Sequence, residues 1–186
     1  QRQMCIRDRC EQCLSGNDNM CQTPCSLGVY QNGGYGSHVL APHPRHLIDP
    51  GPLNPAVAAT YACSGITVYS AIRKVMPLPA DESIVLVGAG GLGLNAIAIL
   101  RALGHKAILV VDVSEEKLAA ARKAGASATV VASDEGTAKR IIETAGAPVA
   151  AVIDLVNGTK TARFALDSLR KGGKLVQVGL FGGELM

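Results

Sequence analysis

Residues 83–104 read SIVLVGAGGLGLNAIAILRALG, and no other stretch limits the fold as tightly. An apolar run of strand length meets glycines in G-x-G-x-x-G spacing, at Gly88, Gly90 and Gly93, before small and apolar residues at helical spacing. Each glycine answers a physical demand. Gly88 permits a tight turn, Gly90 lets backbone approach a pyrophosphate, and Gly93 lets helix and strand pack closely. Gly91 and Leu92 complete the turn and join the candidate cofactor-binding residues. The helix then starts where its unpaired N–H groups can face phosphates. A Gly-rich turn in any α/β protein imitates this pattern, so context decides. Asp112 closes the next apolar run, AILVVD, about 20 residues on, where a carboxylate can accept hydrogen bonds from an adenosine ribose. These residues together predict a dinucleotide site.

Downstream, apolar runs alternate with amphipathic segments. Runs at ATVV, VAAVIDLV and KLVQVGL are separated by helices expected at 92–103, 114–124, 137–145 and 160–169. Ser114 with Glu115 and Glu116 behind it suits a helix start, and Gly125 suits a helix end. Such alternation implies right-handed parallel crossovers, hence an α/β fold with a doubly wound sheet covered on both faces. Dinucleotide folds of this kind normally have six strands in the order 3-2-1-4-5-6, and five are counted here. The sheet is therefore expected to be incomplete, and the chain to be truncated at both ends.

Residues 10–60 are different, rich in Gly, Pro, Asn, His and Cys, and read as loops with small antiparallel strands, YGSHVLAP being one strand-like run. From Ala56, AVAATYACSGITVYSAIRKV carries helical spacing until Pro77 and Pro79 stop it. This seam separates a first part, 10–66, from a second, 67–186.

Composition excludes several classes. A hydrophobic fraction of 48% supports a packed core and argues against disorder. The formal net charge of +3 comes without any basic run that could track phosphates, which argues against nucleic acid. No stretch has the roughly 18 uninterrupted apolar residues of a membrane span. Four Tyr, two Phe and no Trp leave Val, Ala, Leu, Ile and Gly to fill the core, as where helices lie on a parallel sheet. Six cysteines in asymmetric spacing fit a reducing compartment and metal better than a disulfide framework, so a cytoplasmic location is expected.

Cys10, Cys13 and Cys21 follow C-x2-C-x7-C spacing on a short Gly/Asn-rich segment. Grouped thiolates suit tetrahedral zinc, which takes four ligands when structural. The first cysteine of a C-x2-C-x2-C-x7-C set would fall at position 7, where Arg7 stands. Residues 1–9, QRQMCIRDR, match nothing downstream and resemble a translated sequencing adapter, so they are set aside as a non-native scar. Two alternatives stand beside the zinc reading: Cys25 or Cys5 completes the site, or the cysteines are small buried hydrophobes.

Cys63, in ACSGITVY, would by itself be assigned to a core. However, C-x2-C-x7-C, NGGYGSHVLAP, CSGITVYSAI, VGAGGLG and VVDVSEEKL, in this order, resemble the zinc-containing alcohol dehydrogenases of the medium-chain dehydrogenase/reductase superfamily from Cys10 onward. The resemblance implies the later part of a GroES-like, mainly β catalytic domain, followed by a Rossmann domain that binds NAD. It implies that Cys63 is one of three protein ligands of a catalytic zinc, the other two lying outside this sequence. It places Thr67 near the nicotinamide, Lys117 near the adenosine ribose, and Leu155, Val178 and Leu180 in apolar and backbone contact with the cofactor. The implied activity is hydride transfer between an alcohol and NAD, with a small-molecule alcohol, aldehyde or ketone as substrate and a homodimer or homotetramer as the assembly. A fragment of this kind is expected to be inactive.

Two rivals are a zinc-free reductase of the same superfamily, which needs neither cysteine set, and a non-catalytic nucleotide-binding module, since fold does not fix function. His38, His43 and His46 read as part of a Pro-rich surface loop, and His105 as an exposed residue at a helix end. Asp154, ending VAAVID, admits a structural or a functional role.

Overall fold

The computed structural model describes residues 10–17, 20–41, 44–133 and 135–180. Residues 1–9, set aside above, with Cys5 and Arg7, and His43 lie outside the described residues. The chain divides between Ala62 and Cys63 into two compact units.

The first unit is mostly irregular. It contains α1 (Glu11–Leu14), a 3-10 turn at Pro44–His46, and α2 (Pro55–Thr60). Helix α2 starts where Pro55 needs no hydrogen-bond partner for its nitrogen and the Asn54 side chain accepts the Ala56 N–H at 2.9 Å. The strand expected at YGSHVLAP does not form across 35–41, where Val39 and Leu40 stay exposed. Apolar alternation makes a strand only where a neighbour completes the ladder, and among the described residues of this unit the one bridge joins Leu27 to Gln31. His46, the last residue of the Pro44–His46 turn, is buried rather than on the surface.

The helix expected through the seam is broken. A π-helical turn, Tyr61–Gly65, interrupts it before α3 (Ile66–Val75). There follow β1 (Ile84–Val87), α4 (Gly91–Ala102), β2 (Ile108–Asp112), α5 (Glu115–Ala124), β3 (Ala128–Val131), α6 (Thr137–Ala145), β4 (Val149–Asp154), α7 (Thr159–Ser168) and β5 (Leu169–Gln177). All pairings are parallel, in the order β3-β2-β1-β4-β5. This is the doubly wound arrangement expected from the strand and helix alternation.

Side-chain alternation along the strands distributes two cores. Ile84 and Leu86 of β1 point to one face, with Ile108, Val110, Ala151 and Ile153, under Ile72, Ile97, Leu100 and Leu118 of α3, α4 and α5. Val85 and Val87 point to the other, with Leu109, Val111 and Val152, under Ile141 of α6 and Ala165 of α7. Complete burial of one such aliphatic side chain stabilises by about 1.5–3 kcal/mol, so β1 and β4, buried along their whole length, anchor the sheet. Strand β5 begins at Leu169, earlier than expected, and its register shifts before the regular pairing of Lys174–Gln177 with β4.

His105 is also buried, contrary to expectation, and its Nε2–H donates to the Glu82 carbonyl at 2.8 Å. The segment leaving α4 folds back to the start of β1, where Lys106 N–H reaches the Ala80 carbonyl. Periodicity reads one helix at a time and cannot register such a return.

Candidate functional site

At the C-terminal end of β1 the chain turns sharply. Gly88 has φ +102, and a Cβ there would lie 3.0 Å from Val156 Cγ2. A Cβ on Gly93 would stand 2.1 Å from the Gly88 carbonyl oxygen, so the first turn of α4 can sit this close to β1 only with glycine. Gly90 and Gly91 face open space, with nothing within 4 Å of where a side chain would begin. Tight on the inside and open on the outside, the turn offers a cradle at the head of α4, where helix N–H groups and the macrodipole favour an anion. Leu92, within the first turn of α4, packs against the adjoining core.

Asp112, ending β2, stands beside this cradle. Its Oδ2 accepts the Ala89 N–H at 2.7 Å and its Oδ1 accepts the Ser114 N–H at 2.9 Å. Lys117 is exposed on the first turn of α5, its amide donating to the Ser114 Oγ.

The loop after β4 forms the opposite wall. Asp154 is fully buried, and no cation meets it among the contacts of the described residues. Its Oδ1 accepts from the Val156 and Asn157 amides at 3.0 and 2.8 Å, and its Oδ2 from the Thr161 hydroxyl at 2.7 Å. Asn157, at φ +57, donates from Nδ2 to the Gly179 carbonyl at 2.9 Å, while the Val178 amide reaches the Asp154 carbonyl at 2.8 Å. Leu155 is buried against Gly88, Val178 is half-buried and packs on the adjoining core, and Leu180 is exposed. Asn157 and Thr161 escaped the sequence reading, although the Asn157-Gly158 pair is a turn signal.

Cys63 is exposed on the π-helical turn, a helix irregularity common at functional sites. Thr67 follows, half-buried, in the first turn of α3. Asn95 of α4 donates to the neighbouring Ser64 Oγ at 2.8 Å, tying the Cys63 turn to the helix that opens at the cradle. Among the described residues no group of three His, Cys, Asp or Glu forms around Cys63. By themselves these residues do not make a catalytic zinc site.

The other thiols do gather. The Sγ atoms of Cys10, Cys13 and Cys21 lie within 4.8 Å of one another, with Cys10 at 3.3 Å from Cys13 and 4.0 Å from Cys21. Bonds of about 2.3 Å to a tetrahedral zinc put sulfurs roughly 3.8 Å apart, so three corners of such a site are in place. Cys25 is not part of the group. Hydrogen bonds from backbone, at Gln22 first and then Cys13, together with the Cys13 thiol, lower the Cys10 pKa to about 7, favouring the thiolate that a metal needs.

Comparison with known proteins agrees with this geometry. An NAD-dependent alcohol dehydrogenase of Sulfurisphaera tokodaii is 40% identical over 177 residues, 95% of this chain and 51% of that protein. The D-arabinose dehydrogenase of Sulfolobus solfataricus superposes with a TM-score of 0.90 at 26% identity, over 98% of this chain and 57% of that one. The acetophenone reductase of Geotrichum candidum, solved in complex with NAD, gives 0.79 at 26% identity, over 97% and 51%. The chain spans about half the length of these relatives. A family model described as zinc-binding dehydrogenase matches residues 91–186. That match takes in α4 and strands β2 to β5, and on it the chain belongs to the zinc-binding dehydrogenase family.

Proposed function

We propose that this chain is the cofactor-binding part, with a portion of the catalytic part, of an NAD-dependent zinc alcohol dehydrogenase that interconverts an alcohol and an aldehyde or ketone. The observation that carries the reading is the cradle: a turn closed by Gly88 and Gly93, open over Gly90 and Gly91, with Asp112 beside it. Residues 67–186 would bind the dinucleotide and residues 10–66 would belong to the GroES-like catalytic domain. Gly88, Gly90, Gly91, Leu92 and Gly93 hold the pyrophosphate, Asp112 and Lys117 the adenosine ribose, Thr67 lies near the nicotinamide, and Leu155, Val178 and Leu180 supply apolar and backbone contacts to the cofactor. When bound, the nicotinamide exchanges hydride with the alcohol carbon.

The Asp154 hydrogen bonds hold the loop that carries Leu155 in place. Cys10, Cys13 and Cys21 would hold a structural zinc, and their grouping counts against a zinc-free reductase. Cys63 would be one protein ligand of a catalytic metal, which would supply Lewis-acid polarisation of the alcohol oxygen. Relatives named for D-arabinose and for acetophenone differ in substrate, so the class alcohol or carbonyl compound is as fine as the reading goes.

Calorimetric titration of the chain with NAD and with NADP tests the reading. Saturable NAD binding, tighter than NADP, is expected, since a 2′-phosphate beside Asp112 meets like charge. Absence of NAD binding by the folded chain would overturn it.

A further inference from the structure

We infer that Asp112 is a positioning residue for the glycine turn as well as an acceptor for ribose. This rests on the cofactor reading above. The β1–β2 ladder runs through the bond from Gly88 N–H to the Val111 carbonyl at 2.7 Å, where regular pairing ends. The next donor, Ala89 N–H, would be expected to turn outward with the rest of the cradle. Instead it points inward to Asp112 Oδ2 at 2.7 Å, so the side chain of β2 supplies the acceptor that the ladder no longer offers.

The other carboxylate oxygen holds Ser114 N–H at 2.9 Å, at the entry of α5, and the Asp112 carbonyl accepts Ala132 N–H at 2.9 Å, beyond β3. One residue thus ties the turn to the starts of two neighbouring connections. Ala89 is buried, and it lies between Gly88, held at positive φ, and Gly90, which faces open space. Fixing the Ala89 amide fixes the direction in which the chain leaves β1, and with it the amides at the head of α4. A carboxylate has about four acceptor sites, so two amides leave capacity for ribose hydroxyls.

The consequence separates two accounts of Asp112. If it acts through ribose alone, its removal harms only ligands that carry the adenosine ribose hydroxyls. If it also holds the turn, removal harms every ligand whose pyrophosphate sits there, NADP included.

The experiment measures affinities of the chain for NAD and for its 2′,3′-dideoxyadenosine analogue, in the unmodified protein, Asp112→Asn and Asp112→Gly. Thermal melting and amide hydrogen exchange at Ala89 are followed alongside. Asp112→Gly should weaken both ligands by about tenfold or more, the scale of a lost charge-assisted hydrogen bond. Asp112→Asn, which keeps one acceptor oxygen, should recover part of that loss for the analogue, and Ala89 exchange should quicken in both variants. An analogue affinity unchanged by Asp112→Gly, with NAD weakened, overturns the inference and leaves the cofactor reading standing. An unmodified chain that binds neither ligand overturns the cofactor reading and the inference with it. Should Asp112→Gly not fold, Asp112→Asn decides, and Ala89 exchange unchanged from the unmodified protein overturns the inference.

Discussion

At Gly93 the position of a single hydrogen is the constraint. A methyl group there meets the Gly88 carbonyl at 2.1 Å, and because that obstacle is backbone, no flexible side chain can yield. Gly93→Ala should therefore push the first turn of α4 from β1, lowering stability by about 1–3 kcal/mol and abolishing measurable NAD binding. Gly91→Ala, in open space, should melt like the unmodified protein. Urea unfolding of the pair checks this, and equal losses would show that the close approach at Gly93 is unimportant. Asp154 poses the opposite problem, a buried carboxylate whose donors are two amides of the loop after β4 and the Thr161 hydroxyl in the first turn of α7. Asp154→Ala leaves the Val156 and Asn157 amides without their acceptor, each costing about 1–3 kcal/mol, while the Thr161 hydroxyl keeps the Gly158 carbonyl at 2.9 Å; it should destabilise more than Thr161→Val, which leaves the Gly158 amide alone without its acceptor. Equal urea midpoints for the two variants would show that the loop finds other partners.

Among the elements, strands and helices were legible where burial is repeated along the chain. The runs IVLV, ILVVD and VAAVID predicted β1, β2 and β4, and Ser114 and Gly125 marked the ends of α5, because these signals lie within a few residues of each other. Bonds that bridge distant segments were not legible: His105 to Glu82, Asn95 to Ser64, and Asn157 to Gly179 each need the fold before the partners meet. The π-helical turn at Cys63 was invisible for a related reason, since small residues at helical spacing suit several helix pitches. In the candidate site, the tight glycine turn and the position of Asp112 at the end of β2 were legible through spacing, while the amides that Asp112 accepts from were not. Lys174 is another distant contact. From β5 its Nζ donates to the Val75 carbonyl at 3.0 Å, the last residue of α3, placing a cation at a helix C-terminus. Lys174→Met, which keeps the apolar stem, should cost about 1 kcal/mol. A guanidinium melt unchanged by this substitution would show that water serves the carbonyl equally well.

In the whole molecule, binding and chemistry are expected to separate. The cradle, Asp112 and the wall after β4 all lie in the unit that runs from Cys63 onward, and α4 is positioned by packing on a sheet buried on both faces. Nothing in the cradle waits for a further element, so the chain should bind NAD. Alcohol oxidation needs more, because the substrate hydroxyl must lose its proton as hydride leaves the carbon, and Cys63 belongs to no group of three metal-ligating side chains among the described residues. Metal should therefore load in one place only. Inductively coupled plasma analysis should return about one zinc per chain, the number a single tetrahedral thiolate site holds, and Cys13→Ser, which removes the buried corner of that site, should abolish it while Cys63→Ser leaves it unchanged. The same preparation, saturated with NAD and a panel of primary and secondary alcohols, should produce no NADH above the rate without protein. Steady NADH production that disappears in Cys63→Ser would show that Cys63 finds its co-ligands within this chain, and the separation of binding from chemistry would have to be given up.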